Sequence, residues 1–287
     1  MPSLKDIRNR IEATKNTQQI TKAMKLVAAA KLRKAQHQIV NMRPYAYSLI
    51  KVIEALASDP SLNHPFLNPP AREGKKNLLL VVITSDRGLC GSFNSQIIRY
   101  TDSFLREKHQ NYQTIDIVFI GRKGAEYFAK KQVRTVEVIQ RLDRDISYNM
   151  AKVFALKIMD YYLKGTYQEV KFIYNEFKSA ISQKVICEHI IPVLPNNVES
   201  MSGVEYKFEP SKEHILNELL EKHFILQTYR CLCESVAAEH GARMTAMENA
   251  TNNSKELIYK LTLTYNKLRQ EKITTELIEI VSGAEAL

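Results

Sequence analysis

SKEHILNELLEKHFILQTYRCLCESVAAEHGARMTAMENATNNSKELIYKLTLTYNKLRQEKITTELIEIVSGAEAL, residues 211–287, reads as one uninterrupted helix. Ile215, Leu219, Leu226, Tyr229, Cys233, Val236, Met247, Ala250, Leu257, Leu261 and Leu268 fall on one seam, with Lys222, His240, Arg243 and Ser254 as its polar members. At ~1.5 Å per residue such a helix could reach roughly 110 Å. A helix of that length needs a partner or a sheath, because isolated helices gain little from propensity alone.

The partner is at the other end of the chain. Leu4, Ile7, Ile11, Thr14, Gln18, Thr21, Lys25, Ala28, Leu32, Ala35, Ile39, Met42, Ala46, Leu49, Ile53 and Leu56 repeat with heptad spacing, the pattern that drives supercoiling against a second helix. Pro44 lies within this run and is expected to kink or interrupt it, since proline removes a backbone donor. Each seam has one polar interruption, Thr14 to Lys25 in the first helix and about His240 to Asn253 in the second. Setting these opposite each other in an antiparallel pair places Leu257 and Leu261 against Leu4 to Ile11, and Leu226 against Ile39 and Met42. Residues beyond about Leu263 then extend as a single helix with an apolar stripe of Ile273, Leu277, Ile280 and Val281. An unpaired apolar stripe implies something that encloses it.

The middle has a different texture. Asn77 to Thr84, Thr114 to Ile120 and Glu169 to Phe177 read as buried strands, and Lys184 to Leu194 as an added edge strand. Helical stretches around Ser95–Glu107, Lys123–Lys130 and Asn149–Leu163 alternate with them, which implies a parallel, helix-covered sheet. The expected fold is therefore α/β: a long antiparallel coiled coil of terminal helices flanking a small Rossmann-like parallel-sheet domain. The divisions are residues 1–58, a proline-rich linker at 59–75, the α/β domain at 76–195, a linker at 196–210, and the second helix at 211–287.

Composition narrows the function. The 287 residues are 45% hydrophobic and 25% charged, a folded-protein balance. No aliphatic run approaches the roughly 20 residues needed to span a bilayer, and the opening MPSLKDIRNR lacks a signal-peptide h-region. Four cysteines (Cys90, Cys187, Cys231, Cys233) have neither disulfide-framework nor zinc spacing, and His189 and His240 form no HExxH. The loop SDRGLCGSFN, Ser85 to Asn94, sits where nucleotide-binding folds place a phosphate loop but matches neither glycine motif. No catalytic residues, cofactor-binding residues or metal ligands are expected. The formal charge is +10, and +8 of it falls within residues 1–50, which points to an anionic partner.

Four segments, KNTQQITKAMKLVAAAKLRKAQ (Lys15–Gln36), TSDRGLCGSFN (Thr84–Asn94), ARMTAMENATNN (Ala242–Asn253) and YNKLRQEKITTELIEIVSGAEAL (Tyr265–Leu287), resemble the gamma subunit of F-type ATP synthases, in order and across essentially the whole chain. The resemblance implies a central rotor shaft, a non-catalytic subunit that couples proton-driven rotation of the c-ring to cycling of the beta catalytic sites. Its implied partners are the alpha and beta subunits of the catalytic hexamer, the epsilon subunit and the c-ring. Positions matched to rotor–stator contacts are Met24, Lys25, Arg243, Gln270, Thr274 and Glu276; Tyr206 and Lys207 match the region facing the c-ring and epsilon subunit. Residues 196–210 carry no inserted cysteine pair of the photosynthetic kind, so thiol regulation is not expected. The start without a transit peptide suggests a bacterial chain held peripherally on the cytoplasmic face of the inner membrane. The alternative from composition alone is a basic coiled-coil nucleic-acid-binding protein, which would bind with strong salt dependence.

Overall fold

The computed structural model describes residues 3–57, 62, 64–68, 74–131, 133–140, 146–180, 182–193, 209 and 211–285. The elements in chain order are α1 (Leu4–Ala57), β1 (Lys76–Ile83), α2 (Phe93–Lys108), β2 (Tyr112–Ile120), α3 (Arg122–Ala129), β3 (Thr135–Ile139), α4 (Tyr148–Leu163), β4 (Glu169–Phe177), β5 (Gln183–Ile191) and α5 (Lys212–Glu285). They form two compact units, Met1–Ala29 with Arg243–Leu287, and Ala30–Ala242; α1 and α5 contribute to both.

The unit of residues 30–242 is organised by a five-stranded sheet of order β3-β2-β1-β4-β5. β1 pairs in parallel with β2 and β4, β2 pairs in parallel with β3, and β5 runs antiparallel along β4. Every residue of β1 after Lys76 is buried, as expected of a central parallel strand covered on both faces. On one face Leu78, Leu80 and Val82 meet Phe93 and Ile97 of α2 and Phe128 of α3. On the other, Phe172 of β4 meets Phe224 of α5, which with Tyr162 of α4 surrounds Phe66. The turn from β2 into α3 is tight: Gly121 has φ +97°, and a Cβ there would lie 2.0 Å from the Thr84 carbonyl oxygen. Only glycine fits that position.

Three expectations need correction. β3 was absent from the strands read above; it is five residues long, half-exposed and paired only with β2, so it carries no buried apolar run to betray it. Pro44 does not interrupt α1, which runs unbroken through it. Pro44 and Val40, four residues before it, are both exposed, so water can take the carbonyl that loses its helical partner. Finally, α5 in this unit is more than a coiled-coil strand. Leu216, Leu220, Phe224 and Leu232 are buried although they lie off the predicted seam, while Ile215 and Leu219 on it are only half-buried. A helix pressed against a sheet as well as a neighbouring helix hides more than one stripe.

The other unit is a helix pair. Thr21 Oγ1 lies 2.8 Å from Thr251 Oγ1, and Lys25 Nζ lies 2.7 Å from Glu248 Oε1. Advancing along α1 while retreating along α5 makes the pair antiparallel. The predicted α1 seam is the inward face here: Ile7, Thr21 and Ala28 are buried, with Leu4, Ile11, Thr14, Gln18 and Lys25 half-buried. On α5 the inward residues are Met247, Thr251, Ser254, Ile258, Leu261, Tyr265 and Leu268, a continuous heptad spacing. Leu257, expected on the seam, is 41% exposed, and its place is taken by Ile258. The observed register sets Leu4 opposite about Leu268, so pairing extends some five residues further than about Leu263.

Candidate functional site

Between Ile11 and Ala28 the helix pair has no large apolar side chain on the α1 seam, and Thr21 and Lys25 supply the contacts instead. Thr21 is 8% exposed, and its hydroxyl lies 3.0 Å from the Gln18 carbonyl, a second acceptor for its one proton. Thr251 has the same choice, with the Met247 carbonyl 2.7 Å from its hydroxyl. Each hydroxyl has a single proton, so one threonine donates within its own helix and the other donates across to it, and that cross-helix bond contributes about 1 kcal/mol. The Lys25–Glu248 pair is partly exposed on both sides, so solvent screening holds its worth to roughly 0–1 kcal/mol. An equal length of seam filled with Leu or Ile would gain roughly 1.5–3 kcal/mol for each side chain fully buried. The belt is therefore weakly held but specific in register, since a one-turn slip would unmatch both pairs.

Met24 is half-buried beside this belt. Arg243 is 9% exposed, so its guanidinium is not displayed on the surface. Around them Lys5, Arg8, Arg10, Lys15 and Lys22 stand exposed on α1, giving the helix pair a basic flank. The predicted positions Gln270, Thr274 and Glu276 lie elsewhere on the same unit. Thr274 is 23 residues beyond Thr251 on α5, roughly 35 Å along the axis. Thr274 donates to the Gln270 carbonyl at 2.9 Å, and Glu276 faces Lys272 at 3.5 Å. Met24, Lys25 and Arg243 thus belong to the polar belt region, and Gln270, Thr274 and Glu276 to the end of α5. Tyr206 and Lys207 lie outside the described residues.

That end is chemically distinctive. From Arg269 to Ala284 every described side chain is exposed. Ile273, Leu277, Ile280 and Val281 are 48%, 57%, 68% and 56% exposed, and their spacing puts them on one face. Ile278, outside that stripe, is 60% exposed as well. Five large aliphatic residues within nine positions form an apolar surface of the kind that marks an interaction site.

The loop after β1 has the opposite character, turned in on itself. Asn94 accepts from the Ser85 N–H at 3.0 Å and donates to the Ser85 hydroxyl at 2.7 Å. Asp86 accepts the Arg122 N–H at 3.0 Å, and Thr84 Oγ1 accepts the Gly124 N–H at 3.0 Å. The Ser85 N–H of this loop and the first N–H groups of α3 are thus bonded to the protein's own side chains. The four cysteines are free thiols, three of them buried. Among the described residues, no helix is long and apolar enough to cross a membrane.

Sequence reasoning missed one cluster, in the unit of residues 30–242. Arg230 of α5 reaches Glu188 of β5 and Tyr174 of β4, and these join Gln227 and Glu234 in one network. The only signal in the sequence was one charged residue within the uncharged stretch LQTYRCLC, residues 226–233.

Comparison with known proteins bears on the whole chain. The family model described as ATP synthase matches residues 3–287. The chain is 58% identical over 295 aligned residues to the ATP synthase gamma chain of Bdellovibrio bacteriovorus, covering 100% of this chain and 99% of that one. It is 45% identical to the ATP synthase gamma chain of Geobacter metallireducens, over 100% and 99% of the two chains. Among solved structures it is similar to a chain of the Tetrahymena thermophila mitochondrial ATP synthase central stalk and c-ring, with 28% identity and a TM-score of 0.60 over 80% of this chain and 99% of that. A chain of the Euglena gracilis mitochondrial ATP synthase shares the fold at a TM-score of 0.69 and 24% identity, covering 99% and 94%.

Proposed function

The chain belongs to the gamma-chain family of ATP synthases, and from that premise we propose that it is the central rotor shaft of the catalytic head, coupling proton-driven rotation of the c-ring to the cycling of the beta-subunit sites. Its full-length similarity to gamma chains sets aside the nucleic-acid-binding alternative. The observation that carries the shaft reading is the end of α5, an exposed apolar stripe beyond the paired stretch. In this reading the alpha and beta subunits enclose that stripe, and the basic flank of α1 faces acidic surfaces of the beta subunits. Residues 1–58 and 211–287 supply the shaft, and residues 76–195 the part that faces the epsilon subunit and c-ring, with Tyr206 and Lys207 on that side. Met24, Lys25, Gln270, Thr274 and Glu276 are the rotor–stator contact positions in this reading, with Arg243, 9% exposed, reaching a beta subunit only by turning outward.

The mechanism is mechanical. A shaft shifts a catalytic site only by binding its states with different free energies; equal contact with all of them would bias none. A two-helix shaft with one belt of polar pairs and one apolar end presents a different side chain to each surrounding beta subunit, which supplies that asymmetry. Nucleotide chemistry belongs to the other subunits, and the chain sits peripherally on the cytoplasmic face of a bacterial membrane through them. The test is reconstitution with the matching alpha and beta subunits, following complex size and ATP hydrolysis with and without this chain. A stoichiometric complex whose ATPase depends on the chain is the expected result. No association, with salt-sensitive nucleic-acid binding in its place, would overturn the reading.

A further inference from the structure

Within the unit of residues 30–242, α5 meets the sheet through apolar contacts and one ionic network. Arg230 commits its whole guanidinium: Nε donates to Gln227 Oε1 at 2.7 Å, Nη1 to Tyr174 OH at 3.1 Å and to Glu234 Oε1 at 3.4 Å, and Nη2 to Glu188 Oε1. Tyr174, itself fully buried, donates to Glu188 Oε2 at 2.7 Å. The network therefore ties one helix to two adjacent strands, β4 and β5, which are themselves paired through Phe172 with Glu188 and Tyr174 with Ile186.

This arrangement is a poor device for stability. Its charged side chains are only partly buried, Arg230 26% and Glu188 31% exposed, so solvent screens the attraction while the buried part still costs desolvation, and replacing such a network by apolar groups of similar size is often neutral or stabilising. The network is also incompletely satisfied, since Glu234 Oε2 has no hydrogen-bond partner. What it adds is direction. Apolar contacts are non-directional and hold a helix on a sheet by shape alone. A planar guanidinium fork bonded to groups on two strands resists rolling and sliding, because any roll of α5 breaks several charge-assisted bonds together.

We infer that Arg230, with Glu188, Tyr174 and Glu234, is a clamp that fixes α5 to the sheet against torque, making Arg230 a positioning residue for the coupling of rotation to catalysis. The inference rests on the rotor reading above. If rotation enters through the sheet and leaves through α5, one continuous helix, the contact between the two must not slip.

The test uses complexes of the alpha and beta subunits with this chain, fixed to a surface, with a bead attached through Lys130→Cys on the exposed end of α3. The angular variance of the bead within a catalytic dwell reports the torsional stiffness of the path between head and sheet. Arg230→Met leaves two carboxylates without their cation, so the matched variant Glu188→Gln/Arg230→Met/Glu234→Gln serves beside it as a chain in which no charge is stranded. The matched variant should at least double the variance while bulk ATPase and thermal melting of the chain stay near those of the unsubstituted protein. Arg230→Lys, which keeps a charge but loses the fork, should fall between. Unchanged variance in an assembled variant overturns the clamp, and so does failure of both variants to assemble, which would make the network a folding element. If the unsubstituted chain itself does not support ATPase or rotation, it is the rotor reading that falls.

Discussion

Replacing the apolar stripe at the end of α5 by glutamine tests whether that surface is enclosed in the working complex. The perturbation is Ile273→Gln, Leu277→Gln, Ile280→Gln and Val281→Gln together. These side chains are 48%, 57%, 68% and 56% exposed, so somewhat more than half of their surface remains to be covered by a partner. Full burial of such a side chain is worth roughly 1.5–3 kcal/mol, which leaves roughly 1 kcal/mol each and roughly 4 kcal/mol for the four. The rigid-body cost of association is common to both proteins and cancels, so the difference corresponds to about a thousandfold in affinity. Glutamine is a good helix former, and substitutions at exposed sites shift stability by only about 0.5 kcal/mol, so the melting curve of the chain should barely move. The assay is a titration of each chain into alpha and beta subunits, with ATPase as the signal. Half-saturation should rise by two to three orders of magnitude, while Val153→Gln on α4, at a similar 56% exposure, should leave it unchanged. An unaltered half-saturation in the fourfold variant would refute the enclosure.

Three further outcomes concern stability. Thr21→Val alone leaves Thr251 its bond to the Met247 carbonyl but removes the cross-helix bond, at a cost of about 1 kcal/mol; adding Thr251→Val should recover most of it, seen as a coupling term in a double-mutant cycle by denaturant unfolding. Gly121→Ala combines a positive φ with a Cβ driven into the Thr84 carbonyl and should destabilise by about 4 kcal/mol or more, read as loss of the cooperative thermal transition by circular dichroism. His223 titrates at about 4, lowered by burial first and by the Arg230 charge second, against the opposing pull of Glu188. Its folded pKa lies below its unfolded one, so its contribution is complete above about pH 6.5 and is lost as the pH falls toward 4, amounting to about 3 kcal/mol. His223→Met should flatten the stability profile in that window, and an unchanged slope would refute the assignment.

Legibility in the sequence follows the range of the interactions involved. The three central strands could be read because each holds a stretch of β-branched, aliphatic and aromatic residues buried on both faces, unbroken in β1, and the two terminal helices because a heptad seam repeats over many turns. β3 could not, since an edge strand of five residues owes its form to pairing with β2 rather than to its own side chains. The α1 seam was read correctly residue by residue. The α5 seam failed more widely, because neighbouring positions differ only in which way the packed partner lies. In the helix pair it was one position off at Ala250 and Leu257, where Thr251 and Ile258 face inward. Beside the sheet Leu216, Leu220, Phe224 and Leu232 are buried off it. Among the matched contact positions, exposure divides what the family resemblance treats alike. Gln270, Thr274 and Glu276 are open, whereas Arg243 is buried and Met24 half-buried.

By itself the sequence determined the α/β class, the antiparallel pairing of the terminal helices and the gamma-chain family, because periodicity and motif order are properties of neighbouring residues along one chain. Only the tertiary structure decided the helix register, the point at which α5 becomes unpaired and the Arg230 network. Those depend on side chains brought together from positions such as 21 and 251, or 188 and 230, and no local pattern records which distant residue a charge or hydroxyl will meet.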